Sequence, residues 1–475
     1  MNRNYLPVFI LLITLAFGAR GQSLTWQKVY SLHDKEVASS VAQTADGGYI
    51  VAGYTGSGYD TSDMWILRLN AAGDTLWTKL LDFEKVDWAL SVTISSDSSY
   101  VMAGFTSPNS VSSGTIMKVL KLSRNGDILW TFTDTITGLI AGDVVQPPGG
   151  GYTLFGCNYD GNPDTIAVIR LRENGQEDWR RIYQGLTFGI IYQMKPTRDT
   201  GYILAGQIYS DSITGYDNYL MRLDHNCDTV WTKIFGTVNW DIAYAVEEDM
   251  NGHYLVATAE DYGANTILYS VGEDGSILDI RTYGLGTGSY LYALSKTDDG
   301  GFIASGVAGT AFTDHGLLVM RFDAAGDSLW TRVYQQVQYA WSDDIHQTMD
   351  EGYIVAGTVS YNYGNNSDMW ILKLDESGLV GIRDNPADAM AAGISISPNP
   401  CTTTAAIRYS LINASVVTIS IYDASGRKVD EPVRSFQAPG SHCLQWNAGK
   451  HRAGLYCCHI KTDDKAAMLK LMVTK

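Results

Sequence analysis

The chain has 475 residues, of which 45% are hydrophobic and 18% charged, with 48 glycines and 29 tyrosines. This balance excludes intrinsic disorder and fits a turn-dense β protein, while the length exceeds one ordinary core and calls for more than one folded unit. The formal net charge is −17; residues 394–475 hold ten Lys/Arg against five Asp/Glu, a local +5, so the remainder carries −22 and repels phosphate backbones, which argues against nucleic acid as a partner.

Residues 1–21 combine a basic start at Arg3, an apolar run from Tyr5 to Phe17 and the small residues Ala19 and Gly21, the pattern of a cleaved secretory signal. The run is short for a spanning helix and no second long apolar run follows, so no transmembrane anchor is expected in the mature chain.

From residue 46 onward one phrase recurs. DGGYIVAG, ending at Gly53, returns as SSYVMAG at Gly104, GGYTLFG at Gly156, TGYILAG at Gly206, GHYLVAT at Thr258, GGFIASG at Gly306 and EGYIVAG at Gly357. Its aromatic anchors are Tyr49, Tyr100, Tyr152, Tyr202, Tyr254, Phe302 and Tyr353, at intervals of 51, 52, 50, 52, 48 and 51. Eight positions before each anchor stands an aliphatic residue: Val41, Val92, Val144, Met194, Val246, Leu294 or Ile345. After the anchor strand comes a third strand typified by MWILRLN at 64–70, then a tight hairpin such as NAAGDTLWTK introducing a fourth strand.

Four short strands repeated seven times at about 50 residues predict a seven-bladed β-propeller over 22–381. The seventh repeat lacks a tryptophan strand, whereas LTWQKVY at 24–30 is a tryptophan strand ahead of any complete repeat, so the start of the chain is expected to complete the last blade. Such sharing argues against an open solenoid. The repeats resemble short-repeat secreted propellers as a broad class; kelch blades carry their double glycine after an apolar strand, whereas Gly47 and Gly48 precede it here.

The hairpin tryptophans Trp77, Trp130, Trp179, Trp231 and Trp330 are expected to cover the outer edge of each blade. The basic residues near the end of six third strands, Arg68, Lys121, Arg170, Arg222, Arg321 and Lys373, are expected to lay their stems over aromatics with their heads in water.

Binding residues are sought in the loops between second and third strands, which differ from repeat to repeat on a rigid scaffold. They offer Tyr59, Asp60, Tyr159, Asp160, Tyr209, Asp211, Tyr216, Tyr262, Tyr361 and Tyr363, aromatic faces beside hydrogen-bonding groups that suit sugars or polar peptides. Turn propensity alone accounts for such residues, and more readily than a binding site does. No HExxH, GxSxG or phosphate-loop motif occurs, and no CxxC pair supports zinc, so no catalytic, metal or cofactor residue is assigned. WSDDIH at 341–346, with Asp343, Asp344 and His346, is the one cluster of acids and histidine; it falls on a first strand and is given a structural or solvated role. A quinone-dependent dehydrogenase would need longer blades and a cofactor platform.

A linker spans 382–393, rich in small residues after Arg383, and 394–475 reads as a compact immunoglobulin-like β-sandwich. One bridge from Cys443 to Cys457 or Cys458 is open to it. The SPNP entry at Ser397 to Pro400, IYDASGR at Ile421 to Arg427, AGLY at Ala453 to Tyr456 and the Lys-ended last strand resemble a type IX secretion C-terminal sorting domain of the type A group. That resemblance implies a partner in the type IX secretion machinery and export across the outer membrane of a Gram-negative cell, with the domain commonly removed on arrival. The cysteines at 443, 457 and 458 depart from the pattern of such domains. The expected function is that of an exported, non-enzymatic scaffold for a glycan or protein ligand; the alternative is a polysaccharide-active hydrolase or lyase using loop-face carboxylates.

Overall fold

The computed structural model describes residues 25–58, 61–110, 114–158, 165–184, 189–209, 215–237, 239–260, 265–285, 288–309, 315–335, 339–361, 366–380, 395–411, 414–423, 427–461 and 466–474. The expected signal at 1–21 and linker at 382–393 lie outside them, as do Tyr59, Asp60, Tyr159, Asp160, Asp211, Tyr262 and Tyr363.

The chain forms a seven-bladed β-propeller followed by a β-sandwich. Blade 1 is the antiparallel series Lys35–Gln43, Tyr49–Gly58, Thr61–Leu69 and Thr75–Leu81. The first strands of blades 2 to 7 are Val86–Ile94, Leu139–Val145, Ile190–Pro196, Ile242–Glu248, Tyr290–Lys296 and Tyr339–Gln347. These seven strands pack each against the next in a closed circuit about the axis. Blade 7 contributes three strands in sequence, and its fourth is Trp26–Tyr30, paired antiparallel from Trp26 opposite Lys373 to Tyr30 opposite Met369.

Five of the six third-strand basic residues do not hold their heads in water, and Arg170 is half-buried. Arg68, Lys121, Arg222, Arg321 and Lys373 are all buried. The reason for these five is a carboxylate in the turn before their own blade's anchor: Arg68 binds Asp46 at 2.6 Å, Lys121 binds Asp97 at 2.8 Å and Lys373 binds Asp350 at 2.9 Å, whereas Arg170, with no acid in that turn, donates to Gly150 O and Thr153 Oγ1. Arginine also reaches the anchor tyrosine of the following blade, Arg68 Nε donating to Tyr100 Oη at 3.0 Å and Arg222 Nε to Tyr254 Oη at 2.7 Å. A buried cation is tolerated because it is paired and fully hydrogen-bonded.

The tryptophans likewise cross to the following blade instead of covering their own edge. Trp77 lies 6.2 Å from the Tyr100 ring, Trp130 5.7 Å from Tyr152 and Trp231 6.0 Å from Tyr254, centroid to centroid. Each indole N–H donates to a hairpin carbonyl there, Trp130 to Glu173 at 2.9 Å and Trp231 to Glu273 at 2.7 Å. The hairpin glycine beneath the indole is left-handed, with φ of 80° at both Gly175 and Gly275. A Cβ at Gly175 would stand 2.5 Å from Trp130, so glycine is required by backbone and by packing.

The last residue of the recurring phrase has a different task. Opposite it every first strand carries a β-bulge, skipping Ser39, Leu90, Gly142, Tyr192, Tyr244, Tyr292 and Asp343 in the seven registers. A Cβ on Gly53, Gly104, Gly206 or Gly306 would lie 1.9 to 2.0 Å from the carbonyl oxygen of the bulged strand. Glycine there lets the strand swell toward the axis.

In the C-terminal domain a three-stranded sheet, ordered Ser395–Ser397, Ala405–Leu411 and Gly440–Trp446, shares a core with a four-stranded sheet, ordered Lys428–Gln437, Ser415–Asp423, Gly454–Lys461 and Ala466–Val473. Ile407, Val417, Ile419, Trp446 and Leu471 fill it. Among the described residues no disulfide forms: Cys443 is exposed on the smaller sheet, whereas Cys458 is buried in the core on the larger one.

Candidate functional site

Two places gather groups suited to binding, one at the loop rim and one on the axis. At the rim of blade 4, Tyr209 and Tyr216 sit opposite each other at the open end of a strand pair, with ring centroids 5.6 Å apart. Tyr216 is also 5.6 Å from Trp240, and Tyr209 and Trp240 are 42% and 40% exposed, an unusual state for rings of that size. The Trp240 indole N–H donates to Gln207 Oε1 at 3.3 Å, which fixes one edge of the plane. Two of the ten expected loop residues thus meet, joined by a tryptophan that the search of second-to-third loops passed over because it lies before the next first strand. Tyr361, 40% exposed, stands apart; burial and the Asp368 carboxyl raise its hydroxyl to about 12.

On the axis the first strands enclose a cavity of about 600 Å³. Its wall is built in layers by the strand alternation. The residue before each conserved aliphatic is polar in five blades, and its side chain satisfies backbone across the seam: Val92 N–H donates to Ser40 Oγ at 3.2 Å, Val246 N–H to Gln193 Oε1 at 2.8 Å and Val41 N–H to Asp344 Oδ2 at 3.0 Å. Two residues further along each strand lie Lys195, Glu247, Ser295 and His346 in blades 4 to 7. Lys195 Nζ is 3.7 Å from Glu247, His346 Nε2 is 3.1 Å from Asp344 Oδ1, and His346 Nδ1 is 3.2 Å from Ser295 Oγ.

The third layer is the bulge itself, where Tyr192, Tyr292 and Asp343 face the cavity. Burial pushes the Asp343 carboxyl up to about 7, against the hydrogen bond from Trp341 Nε1 at 3.0 Å and with the Asp344 charge adding to the rise. Asp344 behaves oppositely: burial opposes ionisation, but His346 and the Val41 N–H hold it down at about 2. Desolvation lowers Lys195, but Glu247, Asp143 and Asp344 outweigh it and raise the half-buried ammonium above its ordinary value. Of the WSDDIH acids, Asp344 caps a backbone N–H, whereas the bulge turns Asp343 into the cavity. The signal for this layer was countable in the sequence: it lies ten residues before each anchor, where Tyr192, Tyr244 and Tyr292 accumulate.

Elsewhere, Asp63, Asp82 and Asp87 bring carboxylate oxygens within 4.8 Å of one another. Burial, then the other two carboxylates, raises Asp63. No motif pointed to this cluster. No helix among the described residues is long and apolar enough to cross a membrane.

No curated protein matches the chain. Among solved structures it is similar to PorZ of Porphyromonas gingivalis, described as an essential bacterial surface component of the type IX secretion system, at 10% identity over 91% of this chain and 58% of that one, TM-score 0.41. It is similar to the extracellular domain of a protein assigned to the hybrid two-component systems of B. thetaiotaomicron, at 10% identity over 93% and 57%, TM-score 0.43. For Sqt1 of Chaetomium thermophilum the figures are 12% identity, 74% and 99%, and TM-score 0.45. The chain spans a little over half the length of the first two. Residues 395–474 match the family described as the secretion system C-terminal sorting domain. The chain therefore carries a type IX secretion sorting domain and is exported to the surface or surroundings of a Gram-negative bacterial cell.

Proposed function

We propose that the exported propeller is a glycan-binding scaffold, with residues 22–381 as the binding unit and 394–475 as its address. The observation that carries this reading is the rim platform of Tyr209, Tyr216 and Trp240, two of whose rings are exposed by about two-fifths. Sugar rings present apolar C–H faces that stack on aromatic planes, and the half-buried Asn239 lies beside the platform for hydroxyls. A hydrolytic reading rests on one observation, the neighbouring carboxyls Asp343 and Asp344 with ionisations pushed far apart, the pattern of an acid and a base.

The test is retention of the full exported chain on a panel of immobilised polysaccharides, with reducing ends assayed in the same samples. Retention without new reducing ends, lowered at least tenfold by Trp240→Ala, is expected. Retention unchanged by Trp240→Ala removes the platform from the account, and reducing-end release that stops in Asp343→Asn establishes hydrolysis instead.

A further inference from the structure

The bulge layer of the axial cavity is unlike the platform, and its asymmetry is informative. Blades 1 to 3 place Ser39, Leu90 and Gly142 at the bulge, small or aliphatic residues, whereas blades 4 to 6 place three tyrosines and blade 7 an aspartate. The tyrosines form one wall: ring centroids are 5.0 Å apart for Tyr192 and Tyr244, and 5.0 Å for Tyr244 and Tyr292. Tyr290 stacks behind Tyr292 at 5.8 Å with an interplanar angle of 11°. The wall ends at Asp343, fixed by the Trp341 indole N–H at 3.0 Å.

No basic side chain stands in this layer. The cavity lysines lie further along their strands, and Lys195 is engaged by Glu247 at 3.7 Å. The lining acids Asp143, Asp298, Asp343 and Asp344 outnumber Lys195 and Lys296. Aromatic faces attract cations, most strongly where water is excluded, and a carboxylate at the end of such a wall supplies the counter-charge. An anion would meet acids and ring faces, and a neutral polar ligand would leave the Asp343 carboxylate uncompensated when ionised.

We propose that the bulge layer binds an organic cation, a primary or quaternary amine, held against Tyr192 and Tyr292 with Asp343 as counter-ion and Tyr244 bracing the two rings. Binding fixes Asp343 in its ionised form. Trp341 donates to Asp343, Asp344 and Tyr292 interact with it electrostatically, and the cavity lining around it adds His346 on its own strand, Ser295 and Lys296 on the strand of blade 6, Ser39 and Ser40 on that of blade 1, and Lys195. Asp344 is already ionised across the neutral range, and Glu247, Asp143 and Asp344 hold Lys195 charged, so Asp343 is the carboxyl whose proton is displaced. Affinity therefore rises between pH 6 and pH 8.

The experiment is calorimetric titration of the full exported chain with choline and with its uncharged isostere 3,3-dimethylbutan-1-ol. Choline is expected to bind at least tenfold more tightly than the isostere at pH 8, and the preference is expected to shrink to less than threefold in Asp343→Asn. Tyr292→Phe should keep it and Tyr292→Leu should lose it, which separates ring-face recognition from a folding defect when both variants show wild-type melting. If Asp343→Asn does not fold, pH 5.5 against pH 8 on the wild type serves as the charge test. Equal binding of the two compounds, binding of neither at millimolar concentration, or displacement of choline by a neutral sugar would each overturn the assignment.

Discussion

The seam between blades 1 and 2 and the seam between blades 4 and 5 are built alike, with an arginine paired to its own turn aspartate and bonded to the next anchor tyrosine, and a tryptophan laid on that tyrosine. The bulges of the same blades share a backbone but not a chemistry: Ser39 and Leu90 stand at one seam, and two tyrosines, Tyr192 and Tyr244, at the other. A contact repeated around a ring reflects what every blade needs in order to pack. A position where geometry repeats and chemistry does not is free of that need, and there the side chain can answer to a ligand.

This contrast predicts large stability effects at seams and small ones at the axis. Trp26→Ala should have the largest, because Trp26 is buried, donates to Ala71 O at 2.8 Å, lies 5.7 Å from the Tyr49 ring and belongs to the strand that completes blade 7; a loss of about 3–5 kcal/mol is expected in equilibrium urea unfolding. Arg222→Ala should cost about 2 kcal/mol, the worth of charge-assisted bonds to Asp199 and Tyr254, while Arg222→Lys should cost less, since Lys121 and Lys373 serve the same place in blades 2 and 7. An equal loss for the two Arg222 variants would show that the guanidinium fork, not the charge, makes the seam.

Asp343→Asn should change stability least and in a pH-dependent way. The native state holds the Asp343 proton more tightly than the unfolded chain, so its contribution is present below about pH 4 and is lost as pH rises through about 7. Melting midpoints at pH 5 and pH 8 should therefore differ more in the wild type than in Asp343→Asn. A seam-sized loss at both pH values would make Asp343 a packing residue and erase the contrast.

The ring was legible in the sequence because its determinants are local and periodic: a turn, an apolar strand, a second hairpin, repeated at nearly constant spacing. The sorting domain was legible from its short motifs. The buried basic residues were misjudged because their partners are remote in sequence. Asp46 lies 22 positions before Arg68, and Tyr100 lies 32 after it in the next repeat. The recurrent Thr-x-Asp before the anchors, as at Thr44 and Asp46 or Thr197 and Asp199, was the available sign of a buried counter-charge. The axial layer escaped for another reason: a bulge reverses the in-and-out alternation by one residue, so period-two reasoning assigns Asp343 and Asp344 to the wrong faces. The glycine that ends the recurring phrase marks where this happens.

The strand Trp26–Tyr30 also has a kinetic meaning. Its partner residues are 347 positions away, from Trp26 to Lys373, which makes it a contact of very high sequence separation, costly in loop entropy and late to form. Before it docks, six blades can be complete while the seventh presents the row of backbone groups along Ser367–Leu374 to solvent. That open edge is a template for a strand from another copy, and an exchanged Trp26–Tyr30 would link two rings without altering a single seam.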